Sequence, residues 1–292
     1  MTVNKRYTYK GCTSMSTSSS LFNDLMIPAP TATNQLATRT RSGDFKAIPA
    51  ALKSEWIKLT TVRSTQAMLG LNVLGGLLVS WAVARFVTDE ALTVSDGAFY
   101  WTVMVAIVVA VAGVLVFTTE VHHGTLAAAL TAQPARWVLA VSKASMAMAF
   151  GLGMAVTGIA AGFLGALAGG LEICDTGTMV SSTMWAVLFT SLAAMLGVGF
   201  GMIVRHSAFA VSGLLVWSFL FEGLLDLFLP ARVARFLPFL AGDRMIAIDF
   251  SDLDPDAMAV ALSRTEGGLV FGAYAVLALL IGTVLLYRRD VD

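Results

Sequence analysis

The sequence predicts an all-α integral membrane protein: six transmembrane helices, an N-terminal helix lying in the membrane interface, and both termini in the cytoplasm. Three observations predict it. Of 292 residues, 57% are hydrophobic and only 13% are charged, about half the charge that a soluble domain uses to cover its surface. The mean hydropathy is +0.77. The charges gather in clusters, and the runs between them reach the roughly 20 apolar residues that a helix needs to cross about 30 Å of hydrocarbon.

Residues 1–43 are rich in Ser and Thr, carry Lys5, Arg6, Lys10, Arg39 and Arg41, and show no apolar periodicity. They are expected to be a disordered cytoplasmic tail. No apolar core follows the basic residues, so they do not read as a signal peptide. Residues 44–66 change character: Ile48, Leu52, Trp56 and Leu59 recur at helical spacing, with Lys46, Lys53 and Lys58 to the side. A narrow apolar stripe bearing Trp and flanked by Lys describes a helix in the membrane interface.

The six-helix domain, 67–292, follows with spans at about 67–87, 98–118, 144–171, 179–204, 208–229 and 268–287. The third is uncharged for 28 residues, roughly 42 Å as a helix, and must tilt, kink or protrude. Residues 119–143 form a loop between spans two and three, and residues 230–267 the largest segment on the other side. In the latter a short re-entrant or surface helix is expected near Phe236–Leu240, packed on protein. Asp254-Pro255-Asp256 resembles a helix start.

Orientation follows the Lys and Arg residues. With the N-terminus inside, 14 of the 19 basic residues fall on the inner side, leaving Arg85, Arg232, Arg235, Arg244 and Arg264 outside with most of the acids. This arrangement places Cys12 and Cys174 on opposite sides, so they have no route to a disulfide. The formal charge is zero, and no nucleic-acid partner is predicted.

Chemistry-bearing patterns are few. The 292 residues contain no Gly-x-x-x-x-Gly-Lys-Ser/Thr run, so the chain itself is expected to bind no nucleotide cofactor. His122, His123 and His206 lack metal-ligand spacing, and no catalytic set is expected. The pairs Gly158/Gly162, Gly165/Gly169, Gly197/Gly201 and Gly268/Gly272 have the spacing that lets helix backbones approach closely. Glu222 and Asp226 lie four apart on the fifth span. Intramembrane carboxylates usually face a bundle interior or a water-filled cavity, which makes this pair a candidate pathway lining. The alternative is structural: Asp226 reaches the outer interface, and Glu222 caps a re-entrant element or pairs with Arg232 or Arg235.

The loop reads Glu120-Val121-His122-His123-Gly124-Thr125 into an apolar helical stretch, then Pro134-Ala135-Arg136, and ends at Lys143. An acid, a Gly-Thr, a Pro-x-Arg and a Lys in this order resemble the permease subunits of ABC type-2 transporters. A second match is the run Ser54–Thr65, with Glu55, Trp56, Lys58 and Arg63, which is similar to the opening of actinobacterial permeases of that family. Leu237-Pro238-Phe239 is a third. Together the matches run from about Lys53 to Arg289. His122 and His123 depart from the family, which more often has Arg or Lys there, so this surface has fewer permanent cations.

The resemblance implies that Glu120, Gly124, Thr125, Pro134, Arg136 and Lys143 belong to a short coupling helix and its flanks, which dock on an ATP-binding subunit. It implies that residues 54–65 form a connecting helix. It further implies two copies of the ATPase subunit holding Mg-ATP, a second copy of this chain or a related permease, a plasma-membrane location and export; the scarcity of charge in the spans favours a lipophilic or amphipathic substrate over a highly charged one. Hydrolysis would reside in the partner, so this chain is not expected to be an enzyme. The competing expectations are a gradient-driven carrier or channel using Glu222 and Asp226, and a non-transporting immunity or sensor subunit.

Overall fold

In a computed structural model, residues 41–61, 63–87, 94–132, 135–172, 176–246 and 260–289 are described. The tail before residue 41, Cys12, Cys174, Pro134 and the Asp254 helix start lie outside the described residues. Residues 44–292 form one unit. No strand occurs among the described residues.

The helices are α1 (Arg41–Thr61), α2 (Arg63–Phe86), α3 (Val94–His122), α4 (Thr125–Ala132), α5 (Arg136–Gly169) and α6 (Thr176–Val204). Next come α7 (Ser207–Phe228, including a π-helical turn at Trp217–Phe221), the short α8 (Ala231–Ala234) and α9 (Pro238–Asp243), and α10 (Arg264–Arg288). Six of these, α2, α3, α5, α6, α7 and α10, are long and apolar enough to cross a membrane. The chain is therefore a multi-pass helical membrane protein.

Residue size sets the order of packing. The apolar stretches of α3 and α6 are 56% and 61% buried within the protein, those of α2 and α7 only 17%. The central pair is thus α3 against α6, with α2 on α5, α10 on α6, and α5 bridging α3 and α6. Lipid tails are as apolar as Leu, so close backbone contact replaces the hydrophobic drive between these helices. Small residues permit it: a Cβ on Gly197 would overlap the Ala110 carbonyl, and one on Gly201 would stand 2.8 Å from the Val114 carbonyl. The 158/162 and 165/169 pairs act likewise on α5, where an added Cβ would strike Asn72, Ala98, Leu77 and Ala84 in turn. At Gly272 the nearest atom would be an ordinary 3.8 Å away, so the 268/272 pair makes a looser contact.

A polar hub fixes the α2–α3–α5 register. Buried Asn72 donates from Nδ2 to the Met154 carbonyl (2.8 Å) and Thr157 Oγ1 (3.1 Å), and its Oδ1 accepts from Trp101 Nε1 at 3.0 Å. Each group would otherwise lie unpaired in an apolar interior, at a cost of about 1–3 kcal/mol.

Residues 238–246, which follow α7, pack into the bundle. Phe239 and Ile246 join the core, the Phe271 ring sits 5.9 Å from Phe239 and 5.0 Å from Phe189, and a Cβ on Gly242 would strike the Phe189 ring. Irregular backbone at such depth survives only where protein covers it. The expected short helix is present, displaced to Pro238–Asp243 because Pro238, which has no N–H to lose, is suited to the first helical position.

Candidate functional site

Two charged constellations stand out, one at each end of the bundle. The first begins with α1. Its inward face follows Ile48, Leu52, Glu55 and Leu59, spaced four, three and four, and Glu55 is buried. Trp56, expected on the apolar stripe, is 54% exposed and turned outward beside Ile57. Glu55 meets residues far away in sequence. Glu120, in the last turn of α3, and Lys143, two turns into α5, complete a quartet with Lys58.

The geometry of this quartet is tight. Lys143 Nζ lies 2.6 Å from Glu120 Oε1 and 3.3 Å from Glu55 Oε1, and Lys58 Nζ lies 2.8 Å and 2.7 Å from the same two oxygens. Lys143 has no solvent exposure, whereas the Lys58 side chain is 52% exposed. A buried ammonium survives only when paired, and two carboxylates supply that pairing. Burial works to lower the Lys58 pKa, but its hydrogen bonds to Glu120 and Glu55 and their charges outweigh this and hold it above the usual lysine value.

The loop leaves α3 through a left-handed residue. Gly124 has φ +69°, its N–H bonds to the Val121 carbonyl, and Thr125 Oγ1 donates to the Glu120 carbonyl at 3.3 Å. The turn thereby launches α4, which buries Leu126 against a cluster with Phe117 and Leu139 and leaves Ala127, Ala128 and Thr131 exposed. His122 and His123 are exposed beside it, and so is Arg63.

Arg136 has a different task from Lys143. Its Nη1 donates to the Leu286 carbonyl and more weakly to those of Tyr287 (3.3 Å) and Arg289 (3.4 Å), so it caps the end of α10. A guanidinium there satisfies carbonyls that the helix leaves open. Arg289 in turn donates to the Ile203 carbonyl of α6 at 2.9 Å. Arg205, between α6 and α7, is held below the ordinary arginine value by burial and by the charges of Arg289 and Arg136.

A cavity of about 630 Å³ opens beside the quartet. It is bounded by α1 to α5, with Glu55, Lys58, Thr119, Glu120 and Thr125 at its polar end and Met68, Leu115, Met146 and Phe150 among its apolar walls.

The second constellation centres on Glu222, directly after the π-helical turn. Leu237, the residue before α9, has no side-chain oxygen to cap that helix, and Glu222 does so from another element. Its Oε1 accepts from Phe239 N (3.0 Å) and from Trp217 Nε1 (2.7 Å), and its Oε2 from Leu240 N (3.0 Å). Asp226, one turn on, is exposed. The two carboxylates therefore face different surroundings.

Glu55 is expected from sequence as part of the connecting helix, but not its place beside Lys143. The partners of Asn72 were not expected, because they sit 29 to 85 residues away. Nor was Asp243, whose buried Oδ1 has no hydrogen-bond partner and whose pKa is pushed up from 3.8 to about 7 by burial and by Glu222, with Arg244 acting against this.

Six apolar helices and a charged latch at one end define a helical, multi-pass membrane protein. Compared with models of known protein families and with curated proteins, the chain matches none.

Proposed function

We propose that this chain is the membrane-spanning subunit of an ABC exporter of the type-2 class, coupled to a separate ATP-binding subunit. The observation that carries the reading is the quartet. Its four members come from the two segments with the strongest family resemblance, the connecting helix and the loop, and it joins them into one mechanical unit. A force applied to α4 passes through Gly124 and Glu120 to α1, α3 and α5 together. The excess of Lys and Arg at this end supports placing it in the cytoplasm of a bacterial cell, under the plasma membrane.

In this reading two ATPase subunits, holding Mg-ATP, bind the exposed side of α4, and a second permease chain completes the substrate path. ATP-driven closure of the ATPase dimer presses on α4, and the buried Lys143 carries the displacement into α5. Glu222 serves as a structural cap for α9, not as an ion-coupling group.

The test is a mild-detergent affinity purification of tagged chain from its native host, with mass spectrometry of the partners and ATPase assays. A near-stoichiometric partner bearing a phosphate-binding loop is expected, and Glu120→Arg combined with Gly124→Pro should release it while membrane insertion persists. A chain that purifies alone, with no ATP hydrolysis in the eluate, overturns the proposal.

A further inference from the structure

Arg205, directly after α6, is the one described residue other than glycine with a left-handed backbone, at φ +59°. Strain of this kind gathers where a function requires it, and two more guanidinium groups reach the same place. Arg289 donates from Nη1 to the Ile203 carbonyl at 2.9 Å, and Arg136 Nη1 lies 3.4 Å from the Arg289 carbonyl. The charges that act on Arg205 are those of Arg289 and Arg136, and both repel it. Among the described residues, no carboxylate lies within ion-pair reach of these three.

Each guanidinium keeps a nitrogen for a ligand. Nε and Nη2 of Arg205 are enclosed by protein, which leaves Nη1 on a half-buried residue. The side-chain bonds of Arg136 and Arg289 all leave from Nη1, so Nη2 of each is uncommitted. Three cations from three helix ends call for an anion with more than one charge and several acceptor oxygens. A phosphomonoester brings about −1.5 to −2 charges and three such oxygens. The site also lies where α5 begins and α6 and α10 end, at the level of lipid head groups, and basic pockets between spanning helices at that level bind anionic heads. Just before it α10 exposes Leu280, Val284 and Tyr287, a strip on which an acyl chain can lie.

We propose that Arg136, Arg205 and Arg289 form a binding site for a phosphomonoester head group, as carried by phosphatidic acid at the membrane surface. The site stands apart from the ATPase reading, since it uses no residue of the quartet or of α4.

The full chain, purified in dodecyl maltoside, is titrated with phosphatidic acid, phosphatidylglycerol or phosphatidylcholine. Retained lipid is counted by native mass spectrometry, and melting is followed by fluorescence-detected size exclusion. Phosphatidic acid should bind about tenfold more tightly than phosphatidylglycerol, equivalent to about 1.4 kcal/mol. Arg205→Asn should erase that preference. Without lipid it should melt no lower than wild type, because Asn takes the left-handed conformation more readily and the repulsion is gone. Arg63→Gln removes an exposed charge at the same end, outside the cluster, and should leave the preference intact.

An equal loss in both variants reports diffuse attraction and overturns the site. An Arg205→Asn protein that melts lower without lipid marks a structural arginine and does the same. Phosphatidylglycerol binding as tightly as phosphatidic acid overturns the monoester head, and inorganic phosphate raising the melting temperature as much as phosphatidic acid overturns the lipid source. A preference that emerges only when Asp290 and Asp292 are both changed to Asn shows the chain's own carboxylates filling the cluster, and also overturns the proposal.

Discussion

Replacing Lys143 with Met tests whether the quartet holds the charged end together. Lys143 has no exposed surface and contacts Glu120 and Glu55 at 2.6 Å and 3.3 Å. With an effective dielectric of about 20, these contacts represent roughly 6 and 5 kcal/mol of gross attraction, before desolvation is subtracted. Desolvation offsets much of that. Removing one partner of a buried pair nevertheless costs about 3–5 kcal/mol, because it leaves the other charge uncompensated. Here the loss leaves two carboxylates facing one half-exposed lysine.

Lys58→Met is the internal comparison, since its side chain is 52% exposed and exposed pairs are worth only about 0–1 kcal/mol. Unfolding in mixed micelles of rising dodecyl sulfate content, followed by the fluorescence of the six tryptophans, reads both variants on one scale. The double variant Lys143→Met with Glu120→Gln should recover part of the loss, giving a positive coupling in a double-mutant cycle. A Lys143→Met protein within about 0.5 kcal/mol of wild type, well below the cost of breaking a buried pair, would refute the reasoning. So would a Lys58→Met protein that loses as much.

Three further outcomes are expected. Gly197→Ala forces a Cβ into the Ala110 carbonyl and should lower stability by about 1–3 kcal/mol, whereas Gly153→Ala, with nothing within 4 Å, should be neutral; fluorescence-detected size exclusion after heating separates them. Gly124→Ala keeps open space around the new methyl but must hold φ +69°, so it should cost about 1–2 kcal/mol, and Gly124→Asn less; thermal melts of the two variants give the ranking. Asp243 binds its proton more tightly folded than unfolded, with a pKa of about 7 against 3.8. The unfolded chain thus releases this proton first, and stability should fall as pH rises from about 4 to 7, then level off. Asp243→Asn should remove that slope, measured as melting temperature against pH, and should match wild type at pH near 4.

The apolar helices were the most legible part of the chain, because length and uniform apolarity suffice to mark a span. The short helix at Pro238 was also expected, from proline punctuation in an apolar run. The site was legible only as a set of separate residues. Glu120, Lys143, Glu55 and Lys58 were each singled out, yet nothing in one sequence pairs a residue at 55 with one at 143, and burial of both is what forces the pairing. Spacing alone does not decide which side of α1 faces the bundle: the helix turns Glu55 toward Lys143 and leaves its neighbour Trp56 exposed. Glu222 had two readings in the sequence, and the donors of Phe239 and Leu240 that occupy its oxygens belong to a backbone whose course no local pattern reveals.

The two latches at the charged end close at different moments in the life of the chain. Glu55, Lys58, Glu120 and Lys143 are all present once α5 has begun to emerge from the ribosome, so the quartet is available to align the first three spans early. Arg136, by contrast, caps carbonyls at Leu286, Tyr287 and Arg289, which exist only after the sixth span has been made. Between those events its guanidinium has no helix end to hold, and α6 lacks the Arg289 contact at Ile203. Docking of the last helix therefore completes two caps at once.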